Sequence, residues 1–267
     1  MNNVTNTRGN ARLRAAFSGG KAFIAFITCG DPDLETTAAA VKAAVEGGAD
    51  VIELGIPFSD PTAEGPVIQG ANIRALNGGV TTDKIFALVE ELRKSVDVPL
   101  VFMTYANVVF SYGSERFLAR CEAVGIDGLI LPDLPFEEKE EFLPVCRSHG
   151  VALVSLVAPT SENRIAMIAR EAEGFLYIVS SLGVTGARSE ITTDIASMVS
   201  LVRKSSDIPC AIGFGIARPE QAARMAAIAD GAIVGSAIVR LLEQHGKDAP
   251  SYILDYVKSM KDAIRAL

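Results

Sequence analysis

The chain has 267 residues, of which 49% are hydrophobic and 21% are charged. This composition is typical of a folded protein with a large buried core, and it excludes a disordered or low-complexity chain. The formal net charge of −7 at pH 7 argues against nucleic acid as the main partner, but it leaves room for one local anion site.

The N-terminal residues and the cysteines indicate a cellular location. Residues 1–17 are polar with scattered arginines and contain no apolar core of signal-peptide length, so we do not expect secretion. The four cysteines lack the paired spacing of a zinc site or a redox motif, which predicts small buried side chains in a reducing compartment. No run of residues is apolar enough to predict a membrane span. We therefore expect a cytoplasmic protein.

Short β-rich runs recur along the chain, and each is followed by a segment with a helical pattern. The runs comprise residues 22–28, 51–54, 100–104, 128–131, 152–157, 175–179, 210–214 and 231–234. Together they predict eight consecutive βα units.

The segments between the strands carry helix signals. Asp33 is placed to cap a helix that ends before Gly47, and a second amphipathic helix is expected after Thr82. Residues 137–149 predict a charged, solvent-facing helix with a kink at Pro144.

The predicted strands are continuously apolar rather than alternating, as expected for parallel strands buried on both faces. Eight βα units without a break favour a closed barrel over an open sheet. We expect an α/β fold, a (β/α)8 TIM barrel that forms a single domain over residues 1–267, with an extra N-terminal helix. Active residues of such a barrel lie at the C-terminal ends of its strands.

A carboxylate near the end of an apolar strand is the strongest sign of chemistry. Glu53 lies in the run Val-Ile-Glu-Leu, and the loop that follows contains a second acid, Glu64. Because Glu53 is near the end of this strand and Glu64 is in the loop that follows it, the two can converge on one cavity, and two carboxyl groups in unlike environments can divide acid and base work.

Glycine-rich turns follow the seventh and eighth strands. The first contains Gly215, and the second contains Gly235 with Ser236 at a helix start. Exposed backbone amides at helix N-termini bind phosphate, and these loops are a frequent phosphate site in this fold. Gly186 is a third candidate for binding phosphate. It lies in segment 183–190, which, like segment 57–66, is longer than a usual βα loop, so we interpret both segments as candidate lids.

The positions of the lysines and histidines argue against Schiff-base and metal-dependent mechanisms. No lysine falls at the C-terminal end of a predicted strand, which disfavours a Schiff-base aldolase. The two histidines, His149 and His245, fall at helix ends on the far side of the barrel. No metal site is therefore expected, and carboxylates remain as the acid–base groups.

The motifs along nearly the whole chain resemble those of the tryptophan synthase alpha subunit family. They are FITCGDP (26–32), ELGIPFSDP (53–61), TYAN (104–107), PDLP (132–135), GVTG (183–186), GFGI (213–216) and GSAI (235–238). The resemblance implies retro-aldol cleavage of indole-3-glycerol phosphate to indole and D-glyceraldehyde 3-phosphate, in the last steps of tryptophan biosynthesis.

The same resemblance implies roles for individual residues. Glu53 is expected to be the general acid–base, and Glu64 stands in the place of the second acid that stabilises charge at the ring nitrogen. Thr185 matches the lid residue that hydrogen-bonds this second acid. The residues expected to enclose the indole are Phe26, Met103, Ile130, Tyr177, Phe214 and Ile233. Those expected to hold the phosphate are Gly186, Gly215, Gly235 and Ser236.

The family also implies a partner. Its members work with a tryptophan synthase beta subunit in an alpha2-beta2 heterotetramer, in which indole passes through a tunnel to pyridoxal phosphate held by the beta subunit. No cofactor is expected in this chain. The positions that match the docking surface are Pro57, Asp60, Asn107, Phe110 and Asp133.

Two alternatives stay open at the level of sequence. Glu64 stands where the family usually has aspartate and Thr62 where it has leucine, which is compatible with a weakly catalytic regulatory subunit that activates its partner. The other is a different phosphosugar isomerase or prenyl-phosphate enzyme, because this barrel hosts many chemistries.

Overall fold

The computed structural model describes residues 7–179, 195–213 and 215–267. All nine strands in these ranges belong to one parallel sheet. They are β1 (Ala22–Thr28), β2 (Val51–Gly55), β3 (Leu100–Met103), β4 (Gly128–Ile130), β5 (Ala152–Val154), β6 (Leu156–Val157), β7 (Leu176–Val179), β8 (Cys210–Gly213) and β9 (Gly231–Val234).

The sheet is rolled into a nearly closed barrel. Its strand order is β5-β4-β3-β2-β1-β9-β8-β7-β6, so β5 and β6 are the two edges of the sheet. These edges are consecutive in the chain and separated only by Ser155, whose carbonyl oxygen accepts a hydrogen bond from the backbone N–H of Tyr177 at 3.0 Å. The predicted barrel is confirmed, with the fifth predicted strand shared between its two edges.

Helices surround the barrel. They are α1 (Arg8–Ala15), α2 (Leu34–Glu46), α3 (Pro66–Asn77), α4 (Thr82–Leu92), α5 (Ala106–Tyr112), α6 (Ser114–Val124), α7 (Leu143–Ser148), α8 (Glu162–Glu171), α9 (Ile195–Arg203), α10 (Pro219–Ile228), α11 (Ser236–His245) and α12 (Ala249–Arg265), with short 3-10 helices at Phe136–Glu141 and Gly246–Asp248. The extra N-terminal helix is α1. Among the described residues, no helix is long and apolar enough to cross a membrane.

Local capping explains where several helices begin. The Asp33 carboxylate accepts a hydrogen bond from the backbone N–H of Thr36 at 2.7 Å, which confirms the predicted start of α2. The helix predicted over 137–149 is wrong in one respect, because Phe142 separates a 3-10 helix from α7. Pro144 lies in the first turn of α7, where its missing N–H leaves no hydrogen bond unmade.

The N-terminal helix closes the bottom of the barrel. Leu13 of α1 is fully buried in the apolar cluster that fills the barrel interior, together with residues such as Ile24 and Phe175. Gly128 at the start of β4 permits this approach, since a Cβ there would lie 3.0 Å from Leu13. The interior is therefore packed from below, and open space lies at the C-terminal ends of the strands.

A buried ion cluster fixes α1 to the barrel. The fully buried carboxylate of Asp127 accepts from Arg12 Nε at 2.9 Å and from Arg93 Nη2 at 2.6 Å. It also accepts from the backbone N–H of Leu100 at 3.1 Å. Two guanidinium groups and a strand amide therefore depend on one negative charge.

Replacing this carboxylate should destabilise the fold strongly. In Asp127→Asn the Arg93 guanidinium loses its counter-charge and Arg12 keeps only the exposed Asp97, and we expect the free energy of unfolding to fall by about 3–5 kcal/mol. The matched control is Asp97→Asn, because Asp97 also pairs with Arg12, at 3.6 Å, but is fully exposed. Urea denaturation of both variants measures the difference. Equal stabilities would contradict the anchoring role of Asp127.

Candidate active site

A cavity of about 530 Å³ opens at the C-terminal ends of the strands. Most of the residues predicted for the site line it. They are Phe26, Glu53, Glu64, Met103, Tyr177, Gly215, Ile233, Gly235 and Ser236. The barrel thus brings together side chains from separate strands and loops, as its topology requires.

Other predicted site residues lie elsewhere. Ile130 is not among the residues that line the cavity; it is fully buried in the cluster inside the barrel, beside Tyr177 and Ile233. Its predicted contact with a ligand is therefore not seen in this structure. The predicted positions Thr185, Gly186 and Phe214 lie outside the described residues.

The residues predicted for partner docking follow three neighbouring strands: Pro57 and Asp60 lie on the loop after β2, Asn107 and Phe110 on α5 after β3, and Asp133 on the loop after β4. Asp60, Asn107 and Asp133 are exposed, and Phe110 is 73% exposed. Pro57 is instead already buried within this single chain, so its ring does not contribute to an exposed surface.

Asp133 also has a structural role that sequence did not show. Its two carboxylate oxygens accept from the backbone N–H of Ala106 at 3.0 and 3.2 Å. No side chain at the helix's own N-cap, Tyr105, makes this bond. Asp133 therefore caps α5 from the next loop along the barrel and orients the helix that carries Asn107 and Phe110.

Glu53 is buried among apolar neighbours. Its neighbours in the sheet are Phe26 on β1 and Val101 on β3, both apolar. The residue is 1% exposed, and its Oε2 atom makes no hydrogen bond within the described part of the chain. Burial alone raises the pKa of this carboxyl to about 8, because nothing compensates the lost hydration of its charged form.

Glu64 lies in a different environment in the same cavity. Asn72 Nδ2 donates to its Oε2 at 2.6 Å, and Gln69 Nε2 donates to its backbone carbonyl at 2.7 Å. Burial raises the pKa of Glu64 to about 7, and the hydrogen bond from Asn72 opposes that rise. The loop is also fixed by the Tyr105 hydroxyl, which accepts from the backbone N–H of Ala63 at 3.1 Å.

Sequence reasoning missed Asn72. It is buried on the face of α3 that also carries Ile68 and Ala75. An amide among apolar residues on the buried face of a helix was the available signal, since a buried polar side chain requires a partner. That partner is the candidate acid Glu64.

Two aromatic rings form walls of the cavity, and glycines make room for them. A Cβ at Gly55 would lie 2.6 Å from the Phe26 ring, and one at Gly213 would lie 2.4 Å from the Tyr177 hydroxyl oxygen. Burial, and secondarily the charge of Glu53, raise the pKa of Tyr177 well above its usual value. Tyr177 is therefore a neutral phenol near the acid, held in place by a strand with no side chain at position 213.

Part of the cavity wall is formed by turns rich in backbone amides. Gly215 has a φ of +73°, which favours glycine, and it directly precedes Ile216 at the cavity wall. Helix α11 begins at Ser236 with no side-chain hydrogen bond at its N-cap, Gly235. Amides in the first turn of such a helix have no intrahelical partner and are available to an anion.

The fold and the cavity define a class: a (β/α)8-barrel enzyme with a desolvated carboxyl group and an amide-rich turn in one cavity at the barrel mouth. Comparison with known proteins is more specific. The family model for the tryptophan synthase alpha chain matches residues 13–265. The chain belongs to this family, whose members are lyases that cleave indole-3-glycerol phosphate in tryptophan biosynthesis.

Individual relatives agree along nearly the whole length. The chain is 47% identical over 256 residues to the alpha chain of Lacticaseibacillus casei, covering 96% of each protein. It is 52% identical over 231 residues to that of Shouchella clausii, covering 86% of each. A solved structure of tryptophan synthase from Mycobacterium tuberculosis superposes with a TM-score of 0.87 at 36% identity, covering 95% of this chain and 98% of that one. None of these relatives supports the alternative of another phosphosugar or prenyl-phosphate enzyme.

A methyl group at position 213 should disturb the Tyr177 wall. In Gly213→Ala the new Cβ would overlap the Tyr177 ring, and we expect a loss of about 1–3 kcal/mol in unfolding free energy from overpacking. We also expect the rate of indole-3-glycerol phosphate cleavage to fall, because the Tyr177 ring must move from its position in the cavity wall. Gly19→Ala is the control, since a Cβ at Gly19 meets nothing within 4 Å. Thermal unfolding and an indole assay measure both effects, and parental values for Gly213→Ala would contradict the contact.

Proposed function

We propose that this chain cleaves indole-3-glycerol phosphate to indole and D-glyceraldehyde 3-phosphate with Glu53 as the general acid–base. The observation that carries the proposal is the Glu53 carboxyl, which is 1% exposed, unpaired at Oε2 and has a pKa of about 8. A carboxyl group that keeps its proton near neutral pH can deliver it to carbon, which an ordinary ionised glutamate cannot do.

The step proceeds without an external reactant. Glu53 gives its proton to the indole ring carbon that bears the glycerol chain. The carbon–carbon bond then breaks, its electron pair returns to the ring, and the adjacent hydroxyl becomes the aldehyde. The proton released from that hydroxyl returns to the Glu53 carboxylate, so the protein ends in its starting state. Glu64, as a carboxylate, stabilises the positive charge that forms at the ring nitrogen.

The cavity is suited to the two ends of this substrate. Phe26, Met103, Tyr177 and Ile233 supply apolar surface for the ring. Gly215, Gly235 and Ser236 present the amide-rich turn to the phosphate. Roles for Thr185, Gly186 and Phe214 remain predictions from the resemblance.

The position of Glu64 favours an active enzyme over a weakly catalytic regulatory subunit. Although the side chain is one methylene longer than the usual aspartate, it lines the cavity and Asn72 holds its carboxylate in place. The longer acid thus reaches the same cavity as Glu53. Residues 1–267 then act as a single barrel domain in the cytoplasm.

The partner is a tryptophan synthase beta subunit that carries pyridoxal phosphate, in an alpha2-beta2 assembly; this chain itself needs no cofactor. One structural neighbour, at TM-score 0.84 and 34% identity, is a tryptophan synthase complex from Pyrococcus furiosus. Phe110, 73% exposed, lies beside Asn107 on a helix capped by Asp133. A large exposed aromatic near a cavity mouth is suited to a protein contact.

Replacing the acid by its amide tests the assignment. Glu53→Gln keeps the shape of the side chain but cannot exchange a proton, and removing general acid–base catalysis costs about 10²–10⁴-fold in rate. We expect indole release to fall at least that far while circular dichroism and thermal unfolding stay near parental values. Release near the parental rate from a folded variant would show that Glu53 is not the acid.

The pH dependence tests the division of roles. The active form needs a protonated Glu53 and an ionised Glu64, so kcat/KM should rise through the Glu64 pKa of about 7 and fall above the Glu53 pKa of about 8. Because the two groups share a cavity, the apparent values belong to the pair.

The Asn72→Leu variant tests whether ionisation of Glu64 causes the rise of kcat/KM with pH. The Asn72 N–H stabilises the charged form of Glu64, so its removal should move that limb to higher pH. Asn77→Leu, at an exposed position on the same helix, is the control. A rising limb that stays in place in Asn72→Leu would exclude Glu64 as the group that must be ionised.

A further inference from the structure

Among the residues that the structure describes, three basic side chains line the cavity, and two of them form ion pairs. Arg164 pairs with Glu137, with Nη2 2.9 Å from Oε2, and Lys139 pairs with Glu171. The third, Arg240, makes no ion pair or hydrogen bond with any residue in the described ranges 7–179, 195–213 and 215–267. It is half-buried rather than extended into solvent. A partly desolvated guanidinium without a counter-charge favours an anionic ligand.

Arg240 is placed near the amide-rich turn by helix geometry. It lies on α11, four residues after Ser236, so the two side chains share one face of the helix about 5–6 Å apart at Cβ. Side chains on a helix lean toward its N-terminus, which directs Arg240 toward the first turn. Ser236, Gly235 and Arg240 all line the same cavity.

The carboxylate that would ordinarily neutralise Arg240 is held elsewhere. Glu243 is three residues further along α11, at a spacing that suits an ion pair. Its Oε1 instead accepts from Arg74 Nη1 at 2.9 Å. Arg74 is fixed in turn by two bonds to the buried carboxylate of Asp31, at 2.8 and 2.9 Å. This network keeps Glu243 away from Arg240.

We propose that Arg240 is a further ligand of the substrate phosphate, supplying a full positive charge that the backbone amides at Gly215, Gly235 and Ser236 lack. The inference rests on the proposed function, because it concerns the same cavity. The guanidinium binds the dianion in the ground state and the transition state alike, so it contributes to substrate affinity rather than to the chemical step.

Binding measurements with separate parts of the substrate test this role. The variants are Arg240→Gln, which removes the charge, and Arg240→Lys, which retains it without the planar donor pair. Arg224→Gln is the control, because Arg224 is exposed on α10 and the change in net charge is the same. Calorimetry uses glycerol 3-phosphate for the anionic part and indole for the apolar part, and steady-state kinetics use indole-3-glycerol phosphate.

We expect Arg240→Gln to weaken glycerol 3-phosphate binding and to raise KM by about tenfold, the size typical of one charge-assisted hydrogen bond. The value of kcat should change less than about twofold, since the interaction is uniform along the reaction. Indole should bind as tightly as in the parent. The affinity of Arg240→Lys for glycerol 3-phosphate should lie between those of the parent and Arg240→Gln. Added salt should weaken glycerol 3-phosphate binding more in the parent than in Arg240→Gln.

Two results would overturn the inference. One is parental affinity of Arg240→Gln for glycerol 3-phosphate; the other is an equal loss of indole affinity, which would mean that Arg240 only shapes the cavity. A parent chain that releases no indole from indole-3-glycerol phosphate, alone or with the beta subunit, would contradict the proposed function itself. Glycerol 3-phosphate binding, measured independently of cleavage, keeps these failures distinct.

Discussion

The burial of one carboxyl group among apolar side chains is the constraint on which the site depends. Glu53 is flanked in the sheet by Phe26 and Val101, and the packed interior below excludes water from that side. Such a group is costly as an anion, so it keeps its proton to higher pH than an exposed glutamate. The barrel tolerates this cost because its extensive apolar core stabilises the fold independently of the site.

The two acids differ because of their neighbours rather than their chemical type. Both are glutamates, and both are largely removed from water. Within the described ranges, Glu64 receives a hydrogen bond to its carboxylate, from Asn72 at 2.6 Å, and Glu53 receives none; this bond favours the charged form of Glu64. The greater burial of Glu53 and the hydrogen bond from Asn72 to Glu64 therefore both act to separate the two pKa values.

Sequence predicted the features that are encoded locally. Continuous apolar runs predicted the strands, and the acid at position 53 stood out because a carboxylate disrupts such a run. The contacts of Asn72 with Glu64, of Gly213 with Tyr177 and of Asp133 with Ala106 join segments that the fold brings together. A single sequence does not show which distant segments are in contact in the folded protein, so these contacts were not predicted. The division of the fifth strand at Ser155 depends likewise on barrel closure.

The most direct test of the central claim is the protonation state of Glu53 in the unliganded protein. Carbon-13 NMR of carboxyl-labelled glutamate, with Glu53→Gln used to assign the resonance, follows this one group through a pH titration. We expect a midpoint near pH 8, with the carboxyl mostly protonated at pH 7. A midpoint near 4.5, the ordinary value for a glutamate, would contradict it, because Glu53 would then be an ionised and solvated side chain with no proton to give.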